Sequence, residues 1–299
     1  MRLRRDDAIE VKSPAELAIM REAGLVTAAA LRSVASAVQP GISTAELDAI
    51  AEREIRAAGA VPSFKGYFGF PATICTSVNE QIVHGIPSSE QVLDDGDVLS
   101  IDCGAIVAGW HGDSALTMRV GTAGPGGHYS HEELAGLLSA CELALWHGLA
   151  QAVPGRRLTD ISHAVEHAAR RAGRYGIIRE YTGHGIGTQM HMDPPVPNYG
   201  RAGRGPVLVA GMALAIEPML VLGGPQTAVL EDDWTVVTED GSWAAHFEHT
   251  VAITDDGPWV LTAEDGGAAG FAALRSGQLA SGPEQVGTAG AGQGVRDGI

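Results

Sequence analysis

Basic residues are scarce in this chain. Lys and Arg number 20 against 36 Asp and Glu in 299 residues, a formal charge of -16 at pH 7. That balance excludes wholesale binding to phosphate backbones, DNA included, and leaves room only for a local basic patch. Long apolar runs are missing as well. The longest, Val207 to Ile216 with one Gly, reaches about half of the ~20 residues that a membrane span requires. Basic residues at the start, Arg2, Arg4 and Arg5, have no apolar stretch behind them, so no secretory signal is read and a cytoplasmic protein is expected. Cysteines are few and odd in number: Cys75, Cys103 and Cys141 suggest neither a disulfide framework nor a zinc finger, and fit reduced thiols. With 45% hydrophobic residues, the chain can build a core for one or two ordinary domains.

Start and stop signals predict four helices. Capping boxes stand at Ser13-Pro14-Ala15-Glu16, Ser43-Thr44-Ala45-Glu46 and Ser130-His131-Glu132-Glu133, each ahead of an apolar pattern. The first helix breaks at Pro40-Gly41, the second at Gly59 and the third at Val153-Pro154-Gly155, and a fourth runs from near Thr159 to Gly173. Pro40-Gly41, Glu52, Arg56 and Ala58-Gly59 recur 114 residues later as Pro154-Gly155, Glu166, Arg170 and Ala172-Gly173. Strand signals follow each helix pair, over 73–83, 98–106 and 115–120, then 213–222, 234–237 and 246–253. The expectation is an α+β chain of two similar halves, about 9–122 and 123–262, with antiparallel sheets and helices on one side. Residues 1–8 read as an extension. From Ala263 to Ile299 the composition turns to Gly, Ala, Ser and Gln, which reads as a flexible tail because it buries too little surface to offset ordering.

Four acids stand in apolar strands, where an uncompensated charge is costly: Asp102 in Leu99-Ser100-Ile101-Asp102-Cys103, Asp113 in His111-Gly112-Asp113-Ser114-Ala115, Glu217 in Ala215-Ile216-Glu217-Pro218, and Glu248 in His246-Phe247-Glu248-His249-Thr250. A hairpin turning near Ala108-Gly109 would bring Asp102 and Asp113 together. One such acid is ordinarily a paired structural group, but four with few basic residues around them favour a divalent metal as counter-charge. His184, flanked by Gly183 and Gly185, adds an imidazole. Four carboxylates and one imidazole suit two ions of the Mn(II), Fe(II), Co(II) or Zn(II) kind about 3.5–4 Å apart.

Taken together, Ser77-Val78-Asn79-Glu80, His84-Gly85-Ile86-Pro87, Asp102, His111-Gly112-Asp113, Gly183-His184-Gly185-Ile186-Gly187, His191, Ile216-Glu217-Pro218-Met219 and Glu248-His249-Thr250 resemble bacterial type I methionine aminopeptidases, from about Ile9 to Leu261. The resemblance implies a pita-bread fold over 9–262 clasping a dinuclear centre held by Asp102, Asp113, His184, Glu217 and Glu248, with Asp113 and Glu248 bridging. It also implies Glu217 as general base, His191 polarising the scissile carbonyl and His84 bonding the peptide nitrogen. Tyr67, Phe70, Cys75, Met190 and Trp234 would form the methionine pocket, with Phe64 at its rim and Cys75 open to thiol reagents. Phe68 and Lys65 occupy positions that vary, Phe68 replacing a polar residue found in some members. The implied activity is removal of the initiator Met from nascent polypeptides with a small second residue, by a cytoplasmic monomer. Arg156, Arg157, Arg170, Arg171 and Arg174 are the candidate contacts to a ribosome surface, with solvated helix ends the plainer account of them. The rival readings are a Xaa-Pro peptidase, which usually carries a further amino-terminal domain, and a non-catalytic binding protein on the same scaffold.

Overall fold

The structure is a computed structural model that describes residues 9–122 and 129–277; the extension at 1–8 lies outside the described residues. The four expected helices form at Pro14–Ala37 (α1), Thr44–Ala57 (α2), His131–Leu149 (α3) and Leu158–Ala172 (α4). All three serine boxes close: Ser13, Ser43 and Ser130 accept from the third backbone N–H of their helices, and Glu16, Glu46 and Glu133 accept in return. Such caps stabilise a helix start by about 1 kcal/mol each. At α4 the cap is carried by Asp160, whose carboxylate accepts from the Arg157 N–H at 2.9 Å.

The strands are Val61–Pro62 (β1), Ile74–Val78 (β2), Gln81–Val83 (β3), Val98–Val107 (β4), Trp110–Arg119 (β5), Gly176–Ile177 (β6), Gly183–Gly185 (β7), Met192–Val196 (β8), Ala213–Ile216 (β9), Met219–Val221 (β10), Thr227–Val229 (β11), Val236–Thr238 (β12), Ala244–His246 (β13), Glu248–Thr254 (β14) and Gly257–Val260 (β15). A nine-stranded sheet runs β1-β4-β5-β14-β9-β7-β8, with β2 on β4 and β15 on β14; three-stranded sheets β13-β10-β6 and β11-β12-β3 complete the set. All the pairings described are antiparallel, as expected of this α+β chain. One buried cluster lies where α1 and α2 meet β2 and β4, and a larger one where α3 and α4 meet β9, β10 and β14.

The repeated residues do equivalent work in the two helix pairs. Glu52 pairs with Arg56 at 2.8 Å on α2, and Glu166 with Arg170 at 2.7 Å on α4. Gly41 and Gly155 are both left-handed, at φ 89° and 86°. The parallel ends at the helix stops: Gly59 is left-handed at φ 75°, whereas Gly173 is extended at φ 174° with the Tyr175 ring against it.

Several expected strands are shorter or split. The run 73–83 breaks at Asn79, which turns left-handed at φ 57° and bonds Asp97 and the Val98 N–H through its amide. The run 213–222 breaks at Glu217-Pro218, where proline has no N–H for a ladder, so β9 and β10 join different sheets. The run 246–253 likewise divides at Phe247 between β13 and β14.

The expected tail departs most. Up to residue 277 it is folded, with a fifth helix, Ala268–Ser276 (α5). The Arg21 guanidinium donates to the carbonyls of Val260, Leu261, Ala263 and Glu264, and Asp265 accepts from the Gly267 and Ala269 N–H groups. Phe271 then packs edge-on against Trp146 with ring centroids 5.3 Å apart. Anchors of this kind offset ordering entropy that composition alone would leave unopposed. Residues 278–299 lie outside the described residues.

Candidate metal centre and substrate cavity

Strand register brings the acids together. The β4–β5 hairpin turns at Ala108 (φ 47°) and Gly109 (φ 84°), two left-handed residues as a type I′ turn requires. Its register sets Asp102 opposite Ala115 and Gly104 opposite Asp113. Opposed residues share a face and alternate with period two, so both aspartates point the same way. Ala115 is also opposite Glu248 across β14, which puts Glu248 on that face. Beyond it, Ala215 of β9 is opposite both Thr250 and His184, so His184 joins the face. Glu217, two residues after Ala215, keeps the same parity. The glycines beside His184 permit the crowding: a Cβ on Gly183 would lie 2.3 Å from the Ala215 carbonyl oxygen, and one on Gly185 2.1 Å from that of Asp193.

Ligand atoms of Asp113, His184 and Glu248 all lie within 4.8 Å of one another. His184 Nε2 stands 3.6 Å from Glu217 Oε1 and 4.0 Å from Asp113 Oδ2. The other ring nitrogen, Nδ1, is 3.0 Å from the Gly185 carbonyl oxygen, a bond that puts the proton on Nδ1 and leaves the Nε2 lone pair facing the carboxylates. Asp102 Oδ1, Asp113 Oδ1 and Glu248 Oε1 are buried with no hydrogen-bond partner among the described residues, and no Lys or Arg is among the residues lining the cavity. Burial raises the carboxyls of Asp102, Glu217 and Glu248 well above the usual range, and repulsion from the neighbouring carboxylates, Asp113 first, adds to it. Burial takes Asp113 up to about 7, and burial, with His191 and His111 nearby, holds the His184 imidazole down at about 3. Crowded anionic oxygens without partners, beside a neutral imidazole nitrogen, make a donor set that fits divalent cations.

The same cavity, about 220 Å³, is lined by Asp102, Asp113, His184, Glu217 and Glu248, by His84 and His191, and by Phe64, Tyr67, Phe70, Cys75, Met190 and Trp234. Every residue that the resemblance assigns to the metal centre, to catalysis or to the methionine pocket therefore borders one space; the candidate ribosome-facing arginines do not. The apolar end is built from Phe64, Phe70, Cys75 and Met190, all buried, with Tyr67 and Trp234 packed against them. Phe70 meets Trp234 edge-on at 5.1 Å. Burial, with Asp102 and Asp113 nearby, pushes the Cys75 thiol well up; this opposes the thiolate that reaction with reagents needs. His84 sits left-handed at φ 60°, edge-on to Trp234 and Tyr181, and burial lowers it to about 4. His191 is exposed, 4.4 Å from the His184 ring, and its Nδ1 lies 2.9 Å from the Tyr67 hydroxyl.

Two neighbours of the site carried no distinct signal in the sequence. His246 is buried on β13 with Nε2 3.7 Å from Glu217 Oε2, and burial lowers it to about 3. Its place beside Glu217 depends on β10 and β13 pairing, which sets Met219 opposite His246. Phe68 also lines the cavity, although the sequence marked it only as a variable position.

Comparison with known proteins agrees over most of the chain. Residues 18–255 match the Metallopeptidase family M24. Methionine aminopeptidase 1 of Mycobacterium tuberculosis is 53% identical over 266 residues, 87% of this chain and 97% of that protein. Methionine aminopeptidase 1 of Bacillus subtilis is 50% identical, over 84% of this chain and 98% of its own. The crystal structure of a methionine aminopeptidase from Thermotoga maritima superposes with a TM-score of 0.81 at 41% identity, covering 86% of this chain and all of the other. A prolidase from Pyrococcus furiosus shares the fold at a TM-score of 0.66 and 23% identity, with 66% of its length covered.

Proposed function

Because this chain belongs to the M24 metallopeptidases, among the methionine aminopeptidases, we infer that it is a metal-dependent aminopeptidase removing the initiator methionine from nascent polypeptides. The observation that carries the site assignment is the set of partnerless buried carboxylate oxygens facing the His184 lone pair at one end of an apolar cavity. Asp102, Asp113, His184, Glu217 and Glu248 would hold two divalent ions. Bound there, such ions supply an activated water and stabilise the developing oxyanion.

The side chains of this chain do the rest. The methionine side chain enters the space between Phe70, Cys75, Met190 and Trp234, where apolar and polarisable walls match a thioether. Glu217, whose carboxyl burial raises, accepts the proton of the attacking water and returns it to the leaving amine. His191, with Nδ1 tied to the Tyr67 hydroxyl, turns Nε2 toward the scissile carbonyl. His84 bonds the peptide nitrogen. Neutral imidazoles suit both tasks: burial lowers the proton affinity of His84, and partial desolvation at the cavity wall lowers that of His191 although its side chain also meets solvent. A small second residue fits best because His84 and His191 crowd the space beyond the scissile bond. The unit 9–262 then works as two halves, the aspartates from the first and His184, Glu217 and Glu248 from the second.

Substrates that emerge from translation place the enzyme in the cytoplasm, as a monomer beside the ribosome. The supporting feature is a basic cleft of about 520 Å³ lined by Arg170, Arg174 and Arg179. The deciding assay is methionine release from Met-Gly-Met by metal-reconstituted protein. Release abolished by chelation and restored by added metal is expected, and a reconstituted protein that cleaves Xaa-Pro peptides instead contradicts the assignment.

A further inference from the structure

Phe68 borders the cavity that holds the carboxylates, yet it is 85% exposed and has no part in the steps above. Its backbone is left-handed, φ 46° and ψ 24°, a conformation unfavourable for a bulky L residue. The surrounding turn imposes it. Gly66 and Gly69 are left-handed at φ 89° and 92°, and the Gly66 N–H donates to the Phe70 carbonyl at 2.8 Å while the Phe70 N–H donates to that of Tyr67 at 2.9 Å. The ring rests edge-on against Tyr67, centroids 4.6 Å apart. Tyr67 in turn lies 5.3 Å from the His191 ring and is bonded to it. An aromatic ring kept in solvent by a strained backbone contributes little to the core, and strain of this kind gathers where a ligand is met.

We propose that Phe68 is a specificity-determining residue whose ring packs on the side chain of the substrate's third residue and favours apolar groups there. The proposal rests on the aminopeptidase reading above. With the first side chain in the apolar end and the second residue at His191, an extended substrate advances about 3.3–3.6 Å per residue. The span from His191 across Tyr67 to Phe68 thus makes the third side chain the first that reaches the ring. The outward ring face is apolar and needs no partner of fixed charge, so Leu, Val or Phe should be preferred over Ser or Asp at that position.

The test compares kcat/KM for Met-Ala-Leu-Ser and Met-Ala-Ser-Ser with metal-loaded enzyme. The native enzyme is expected to favour the leucine peptide about fivefold, the size of one aromatic contact. Phe68→Asn, which accepts a left-handed backbone but lacks the ring, should bring the ratio to within about twofold of unity, and Phe68→Tyr should restore it. Equal rates for the two peptides in the native enzyme, or a preference that survives in Phe68→Asn, overturn the proposal while leaving the aminopeptidase reading intact. Release of methionine from neither peptide overturns both.

Discussion

Replacing Asp113 by Asn in protein stripped of metal should stabilise it. In the folded chain burial carries this carboxyl from 3.8 to about 7, so at neutral pH the fold must either hold a proton that the unfolded chain has released or bear a buried charge. At about 1.4 kcal/mol per tenfold change in proton affinity, the rise amounts to about 4 kcal/mol. The sign follows from which state binds the proton. Below pH 3.8 both states are protonated and nothing is lost; as pH climbs through about 7 the contribution disappears. Asn does not titrate and keeps the shape. The stability difference between the variant and the native chain, both stripped, should be near zero at pH 4 and about 4 kcal/mol in favour of the variant at pH 8. For a chain of this size that is on the order of 10 °C in Tm. Neutral buried histidines such as His184, His246 and His84 also make stability depend on pH, but they are common to both proteins and largely cancel in the difference; Asp102, Glu217 and Glu248, which the Asp113 charge repels, are relieved in the variant and act in the same direction. With metal present the order should reverse, because the native chain gains binding free energy that the variant lacks. Thermal melts with and without chelator across pH 4–8 decide it. A variant less stable than the native chain at pH 8 without metal, or a gap that ignores pH, refutes the argument.

Three further outcomes are expected. His84→Ala should lower kcat on the order of a hundredfold while metal content by elemental analysis stays unchanged, as the proposed bond from His84 to the peptide nitrogen requires. Tyr67→Phe removes one hydrogen bond to His191 and should cost about three- to tenfold in kcat/KM, again at constant metal content. Phe271→Ala, which strips α5 of its contact with Trp146, should lower stability by about 1–3 kcal/mol in urea titrations with little change in kcat.

Much of the site is visible in the sequence because buried charge is conspicuous. Asp102, Asp113, Glu217 and Glu248 interrupt runs rich in apolar residues, and the Ala108-Gly109 turn marks the hairpin that registers the first pair. The serine capping boxes are local signals too, and all three close. What escaped depends on distant partners. The two- and three-residue strands β6 and β7 exist only through pairing with β10, β8 and β9, so no periodicity announces them. His246 acquires its neighbour Glu217 across a separate sheet. α5 looks unstructured by composition and is ordered by Arg21 and Trp146, more than a hundred residues away. Phe68 reads only as a variable position until the turn at Gly66 and Gly69 is seen to face it outward.

On the reading proposed above, five side chains from both halves hold two divalent ions on which the peptidase depends. Equilibrium dialysis against Mn(II) or Co(II), with metal counted per chain and methionine release followed on the same samples, tests it most directly. Activity should rise with occupancy up to two ions per chain, and Glu248→Gln should lose both together. Full activity in protein whose metal content is negligible, or undiminished binding in that variant, would contradict it.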